Sequence, residues 1–204
     1  MMRGFNKGLA AALCLAAAGC GGESDLDDGA EAGDVAPGQQ VEIHTSMGRI
    51  VVELFPDRSP ITVENFLAYV DEAFYDGVIF HRIVPGWVIQ GGGFKPGLEE
   101  HPPTRDNIQN ESDNGLTNSR GTLAMARTPP PHSAQAQFYI NVSDNSMLDF
   151  GGQRTGEHGY AVFGTVVEGI DVVDAISGVT IENRGPMQGV PVEPVMMDSI
   201  RRLP

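Results

Sequence analysis

From Val41 onward the chain is a succession of short apolar runs separated by turn-forming residues. Val41-Glu42-Ile43-His44-Thr45 sets Val41 and Ile43 on one face and polar side chains on the other, the period-two pattern of a half-buried strand. After Ser46-Met47-Gly48, the run 49–55 repeats the pattern with Ile50, Val52 and Leu54. Two such runs joined by a short glycine-bearing turn predict a hairpin. Ser59-Pro60 then opens a helix, with the serine as cap and the proline at the first helical position. Ile61, Phe66, Leu67, Tyr69 and Val70 are its expected buried side. A second helix is predicted over 169–177, where Ile170, Val173 and Ile176 recur at three-residue intervals. Between the helices lie apolar runs at 78–84, 88–90, 121–127, 137–142 and 160–167, each bounded by Gly, Pro, Asn or Asp. Many short strands and few helices predict a mainly β fold. The expected form is a closed antiparallel barrel of about eight strands capped by two α-helices, one domain over 41–204.

The first forty residues follow another pattern. Residues 1–7 carry Arg3 and Lys7, and 8–19 form an apolar run rich in alanine and leucine. These are the charged and apolar regions of a secretory signal, and the run is too short to span a bilayer permanently. It ends Ala17-Ala18-Gly19-Cys20, which resembles a bacterial lipobox, although Ala17 stands where that pattern prefers leucine. The expectation is a signal peptide over 1–19 and lipidation at Cys20. Ordinary signal cleavage, leaving Cys20 a free thiol, is the alternative. Residues 21–40 hold six acids, no bases and only Leu26 and Val35 as large aliphatics. Such a segment cannot bury enough apolar surface to order itself, and its like charges extend it. It is expected to be a tether holding the domain off a membrane, with the lipid anchor as the only membrane contact. The protein would then face the periplasm or the cell exterior.

Charge narrows the function. The 204 residues hold 27 acids and 13 bases, a formal net charge of -14. Six acids and two bases precede Val41, which leaves the domain 21 acids against 11 bases. Nucleic acid is excluded as a partner, because phosphate binding requires a basic face. Both cysteines, Cys14 and Cys20, lie in the leader, so nothing after them can form a disulfide, a thiolate nucleophile or a Cys-based zinc site. His44, His101, His132 and His158 show no metal-ligand spacing, and no metal or cofactor is expected.

The most informative stretch is Phe80-His81-Arg82-Ile83-Val84-Pro85-Gly86-Trp87-Val88-Ile89-Gln90-Gly91-Gly92-Gly93. Alternation places Phe80, Arg82 and Val84 on one face and His81 and Ile83 on the other. An arginine between apolar neighbours either snorkels to solvent or sits at a cleft lip, held by acceptors. Gln90, an amide ending the next run, is a candidate holder. His81 is expected to be a satisfied core histidine rather than a general base. The three glycines lack a phosphate-loop pattern and are expected to form a tight strand exit.

Phe80-His81-Arg82 followed by Gly86-Trp87-Val88-Ile89-Gln90-Gly91-Gly92 resembles the signature of the cyclophilin family of peptidyl-prolyl cis/trans isomerases. Thr62-Val63-Glu64-Asn65-Phe66-Leu67 is similar to the family's first helix, and Arg120-Gly121-Thr122-Leu123-Ala124-Met125-Ala126 to its central strand. Ser133-Ala134-Gln135-Ala136-Gln137-Phe138-Tyr139-Ile140-Asn141 resembles the pocket strand and Val162-Phe163-Gly164 a late one. The resemblance runs in order from about Val41 to Ile200. It implies rotation about X-Pro bonds of exported polypeptides by a monomer. Arg82 would be the catalytic arginine, and Gln90 and Gln137 would bind substrate. Trp87, Val88, Tyr139 and Leu148 would line the proline pocket, Ala126 and Arg127 would meet the substrate backbone, and Met147 and Tyr160 would complete the rim. Trp87, Val88 and Tyr139 stand where phenylalanine, methionine and phenylalanine are more usual. A larger indole beside a smaller valine roughly conserves volume, and the added Tyr139 hydroxyl needs a partner. A binding module using the same groove without turnover is the competing reading.

Overall fold

A computed structural model describes residues 39–204. The signal and lipobox expectations and the tether up to residue 38 lie outside the described residues; the tether's expected last residue, Gln40, instead opens β1, where it pairs with Glu53. The chain runs β1 (Gln40–Thr45), β2 (Gly48–Leu54), α1 (Pro60–Asp71), β3 (Val78–Val84), β4 (Val88–Gly91), β5 (Phe94–Lys95) and β6 (Glu99–Glu100). It continues with β7 (Thr122–Met125), β8 (Phe138–Asn141), β9 (Val162–Glu168), α2 (Ile170–Ser177), β10 (Ile181–Arg184), β11 (Met187–Pro191) and β12 (Met196–Arg202). Eight strands close in the order β1-β12-β3-β4-β8-β7-β9-β2, every neighbouring pair antiparallel. Closure leaves no unpaired sheet edge. The eight-stranded barrel with two helices matches the expectation.

Alternation then divides the side chains. Ile43, Ile50, Val52, Ile83, Ile89, Leu123, Phe138, Ile140 and Phe163 are buried in one large cluster with Phe66 and Val70 of α1 and Val173 and Ile176 of α2. The opposite face of β4, β7, β8 and β9 carries a second, smaller cluster of Val88, Ala124, Tyr139 and Val162, closed by Leu148. This second cluster is the floor of the cleft described below.

Several local expectations need correction. Ser59 does not cap α1 with its side chain; its Oγ donates to the Val162 carbonyl at 2.6 Å. The orphan amides of Ile61 and Thr62 donate instead to the Glu111 carboxylate, at 3.1 and 2.8 Å, and the Thr62 hydroxyl donates to it at 2.7 Å. A carboxylate at a helix start also suits the helix dipole. Ile61 and Ile170, expected to be inside, are exposed in the first turns of their helices. Phe80 does not share a face with Arg82. It is fully buried in the main cluster with Ile83, because β3 has a bulge where Phe80 opposes Gly91 and Arg82 opposes Gln90. Two steps on one strand against one on the other put Phe80 and Arg82 on opposite faces.

The barrel's closing strand, β12, was not among the predicted runs. Its two buried residues, Met197 and Ile200, are three apart rather than two. A register shift across from them, between His44 and Thr45, explains the odd spacing.

The Glu111 cap is testable. Replacing Glu111 with Ala should leave the amides of Ile61 and Thr62 without their acceptor and cost about 1–2 kcal/mol in denaturant unfolding. An unchanged midpoint would show that α1 does not depend on this carboxylate.

Candidate active site

The β3 bulge delivers Arg82 to the outer face of the barrel, where β4 and β8 supply its neighbours. Arg82 pairs in register with Gln90 of β4, and Gln90 pairs with Tyr139 of β8. The Arg82 guanidinium donates to Gln90 Oε1 at 3.4 Å. Gln90 Nε2 donates in turn to Gln137 Oε1 at 3.0 Å. The first bond orients the glutamine's oxygen towards the cation, which leaves its N–H for the second. Among the described residues Arg82 spends one long hydrogen bond and keeps its remaining donors for something else.

Nine of the residues proposed from sequence enclose one cavity of about 100 Å³: Arg82, Trp87, Val88, Gln90, Ala126, Arg127, Tyr139, Leu148 and Tyr160. Its floor is apolar, and its walls carry the guanidinium and the amide. Gln137 lines an adjoining cavity of about 260 Å³, which shares Gln90, Ala126 and Arg127 with the first and is also bounded by Gly93, His101, Thr128 and Ser133. Met147 is not among the residues enclosing either cavity; it lies on the surface, 41% exposed. Its neighbour Leu148 takes the inward position, because the short 3-10 turn at Ser146–Leu148 can bury only one of the two.

Aromatic side chains fix the walls. Tyr139 and Tyr160 meet edge to face, ring centroids 5.8 Å apart. The Arg127 guanidinium lies over Tyr160, 4.7 Å from the ring centre. Arg127 also donates to the carbonyls of Gly159, Thr128 and Pro129, at 3.1–3.2 Å, and to that of His158. It therefore clamps two loops, with few donors left for a ligand. Arg82 and Arg154 both approach the Trp87 ring, at 5.8 and 5.4 Å from its centre. The Trp87 indole N–H is buried without a partner among the described residues.

The Tyr139 hydroxyl donates to Asn118 Oδ1 at 2.7 Å. Burial, reinforced by the neighbouring Tyr160 phenol and Asp149 carboxylate, holds this phenol well above its usual range, so it stays neutral. Asn118 is itself held by Asp149, whose Oδ1 accepts from its backbone N–H at 2.6 Å and its side-chain amide at 2.9 Å. Asn141 and Asn145 extend the network to the Trp87 carbonyl. Satisfied buried amides of this kind fix one arrangement, because any shift would orphan a polar group. Sequence reasoning missed Asn118, Asn141, Asn145 and Asp149 as supports. The only signal for them was the unusual Tyr139 hydroxyl, which had to find a partner.

His81 is 3% exposed and stacks near Phe94, ring centres 4.7 Å apart. It is not a satisfied histidine: its Nδ1 has no partner among the described residues. Burial, with the adjacent Arg82 charge, pushes its pKa down to about 4, so the ring stays neutral at physiological pH. It does not line the cleft and has no place in proton transfer there.

Gly92, with φ of +89°, turns the chain out of β4, the strand exit expected of the three glycines. Gly93 has a further role. A Cβ at this position would lie 2.5 Å from Cδ and 2.9 Å from Cγ of Gln137. Only glycine lets Gln137 lie down across the chain and meet Gln90.

Residues 40–202 match the model for cyclophilin type peptidyl-prolyl cis-trans isomerases. The chain belongs to the cyclophilin family. Peptidyl-prolyl cis-trans isomerase B of Escherichia coli strain K12 is 52% identical over 160 residues, covering 78% of this chain and 97% of that protein. Peptidyl-prolyl cis-trans isomerase cyp18 of Streptomyces antibioticus is 54% identical over 163 residues, covering 80% and 98%. A crystal structure of a Cryptosporidium parvum cyclophilin type isomerase superposes with a TM-score of 0.66 at 23% identity, covering 81% of this chain and 98% of that one, and supports the barrel fold. The protein is a cyclophilin-type peptidyl-prolyl cis-trans isomerase. Its barrel carries an arginine and two glutamines in line beside an apolar cavity.

Gly93→Ala should keep the barrel but displace Gln137, and with it the support of Gln90. The expected outcome is a several-fold loss in kcat/KM with little change in thermal midpoint, read by prolyl-peptide isomerisation and calorimetry. Wild-type activity in the variant would show that the Gln137 position is immaterial.

Proposed function

We propose that Arg82 is the catalytic group of this isomerase and that the adjacent cavity of Trp87, Val88, Tyr139 and Leu148 holds the proline ring. The observation that carries the reading is the Arg82–Gln90–Gln137 chain at the edge of that cavity. An X-Pro bond resists rotation because the nitrogen lone pair is delocalised into the carbonyl, with a barrier of about 18–20 kcal/mol. No bond breaks, so neither nucleophile nor proton shuttle is needed. A catalyst must grip the ring, leave the preceding carbonyl free to swing and favour the twisted amide. The apolar cavity grips the ring. Gln90, Gln137 and the backbone at Ala126 and Arg127 hold the flanking chain. The Arg82 guanidinium donates towards the prolyl nitrogen, whose lone pair becomes localised, and thus a better acceptor, only as the bond twists. That difference between ground and twisted states is what lowers the barrier. Arginine suits the role because it keeps its charge and its planar fork is directional.

A charge-assisted hydrogen bond contributes about 1.5–3 kcal/mol, and each 1.4 kcal/mol is a factor of ten in rate. Arg82→Ala should therefore fold normally and lose at least ~10-fold in kcat/KM. A folded Arg82→Ala protein of near-normal activity would remove Arg82 from the mechanism. If the wild-type protein bound proline peptides without accelerating their exchange, the groove would serve as a binding module.

The proposed setting is outside the cytoplasm, on exported polypeptides. Arg3, Lys7, the apolar run 8–19 and the small residues before Cys20 support export and lipidation. A diacylglyceryl group supplies the two chains that stable anchoring takes. The acidic segment 21–40 would act as the spacer. Wild-type protein should sediment with membranes, and Cys20→Ser should move to the soluble fraction with unchanged kcat/KM. A mature wild-type mass without acyl addition would rule the anchor out.

A further inference from the structure

Arginines in this acidic domain are, with few exceptions, paired. Arg49, Arg105, Arg120, Arg184, Arg201 and Arg202 each contact a carboxylate, and Arg58 donates to the Asn114 carbonyl. Of the three that remain, Arg82 and Arg127 line the cleft and Arg154 lies against its Trp87 wall. Arg127 spends its donors on four carbonyls, and Arg82 spends one long hydrogen bond on Gln90. Arg154 is different. Its side chain donates no hydrogen bond to any described residue, and its guanidinium rests against the Trp87 ring, 5.4 Å from the centre. The same indole has Arg82 at 5.8 Å. Two cations thus share one aromatic wall, and no carboxylate among the described residues pairs with either. The nearest acid in sequence, Glu157, is exposed and makes no ion pair with a described residue, and Asp149 is engaged with Asn118.

We propose that Arg154, with Arg82, forms a cationic rim over Trp87 that receives an aspartate or glutamate side chain of the substrate, so that the enzyme favours X-Pro bonds with an acidic residue nearby. The inference rests on the reading of this cleft as the substrate site. An aromatic surface holds a guanidinium by attraction to its face while leaving the N–H edges open. A planar fork with open donors suits carboxylate, which it can bind through two parallel hydrogen bonds. Arg154 would thus be positioned before substrate arrives.

Geometry also selects the side of the peptide. The larger cavity borders the proline pocket at Gln90, Ala126 and Arg127, and Trp87 is not part of it. A chain crossing the pocket sends one flank into that cavity and the other past Trp87. The carboxylate belongs to the second flank. With the domain net negative by count, an acidic peptide gains little from the surface at large and is attracted at this rim, which discriminates between positions as well as between charges.

The test uses the full chain and short peptides with one X-Pro bond, carrying Asp, Asn or Lys one or two residues from the proline, on either side. Exchange is measured by NMR at low and high ionic strength. At low salt the wild type should show kcat/KM about 3–5-fold higher for Asp than for Asn on one flank only, mainly through KM, the range expected of a partly exposed ion pair. The ratio should approach one at high salt and in Arg154→Gln, and persist in part in Arg154→Lys. No preference in the wild type, or the same preference in Arg154→Gln, overturns the inference. Arg82→Ala separates the two claims. If it abolishes turnover of every peptide while Arg154→Gln keeps the wild-type ratio, the cleft stands and the rim fails. If Arg82→Ala turns over normally, the cleft reading fails as well.

Discussion

The arrangement depends on one irregularity in one strand. A barrel strand has an inner face that must be apolar and an outer face that need not be. β3 has to give Phe80 and Ile83 to the interior and Arg82 to the cleft. Regular alternation forbids this, because Phe80 and Arg82 would share a face. The bulge absorbs one residue, His81, so that the chain turns over between them. The extra residue has to go somewhere, and His81 is buried with a ring nitrogen that has no partner among the described residues. Its pKa of about 4 shows how the position is tolerated: the ring is held neutral. A charged ring there would meet both a dry surrounding and the adjacent guanidinium.

Below the cleft a polar network is buried for a related reason. The pocket floor is made of outward-facing barrel residues, which would ordinarily meet water. Tyr139 brings a hydroxyl into that floor, and Asn118, Asn141, Asn145 and Asp149 form the network that satisfies it. Amide-to-amide bonds hold the strands and the loop carrying Leu148 at fixed separation. Above this floor the polar groups are left underused. Among the described residues the Arg82 side chain makes one long bond and the Arg154 side chain none, as befits groups that await a ligand.

Much of the fold was legible because the barrel's strands obey period two where they are regular. The β1–β2 hairpin, the five central runs and both helices lie close to their expected places. What escaped was local and tertiary. Met197 and Ile200 of β12 are spaced by three because of a bulge that no single strand reveals. The Phe80 face was misread for the same reason. The α1 cap comes from Glu111, about fifty residues downstream, so no pattern around Ser59 could disclose it. The residues enclosing the pocket were legible by family resemblance rather than by periodicity, which cannot bring Arg127, Leu148 and Tyr160 to Arg82. Met147 sat one residue from an enclosing position, and a short 3-10 turn decided which neighbour faced inward.

The central claim is geometric: the bulge aims Arg82 at the nitrogen of a proline seated over Tyr139 and Leu148. A crystal structure of the protein with a bound X-Pro peptide tests it most directly. The account predicts the proline ring in the cavity of Trp87, Val88, Tyr139 and Leu148. It also predicts an Arg82 N–H within hydrogen-bond reach of the prolyl nitrogen while the guanidinium keeps its contact with Gln90. A proline seated elsewhere, or an Arg82 turned away from it towards solvent, would contradict the account.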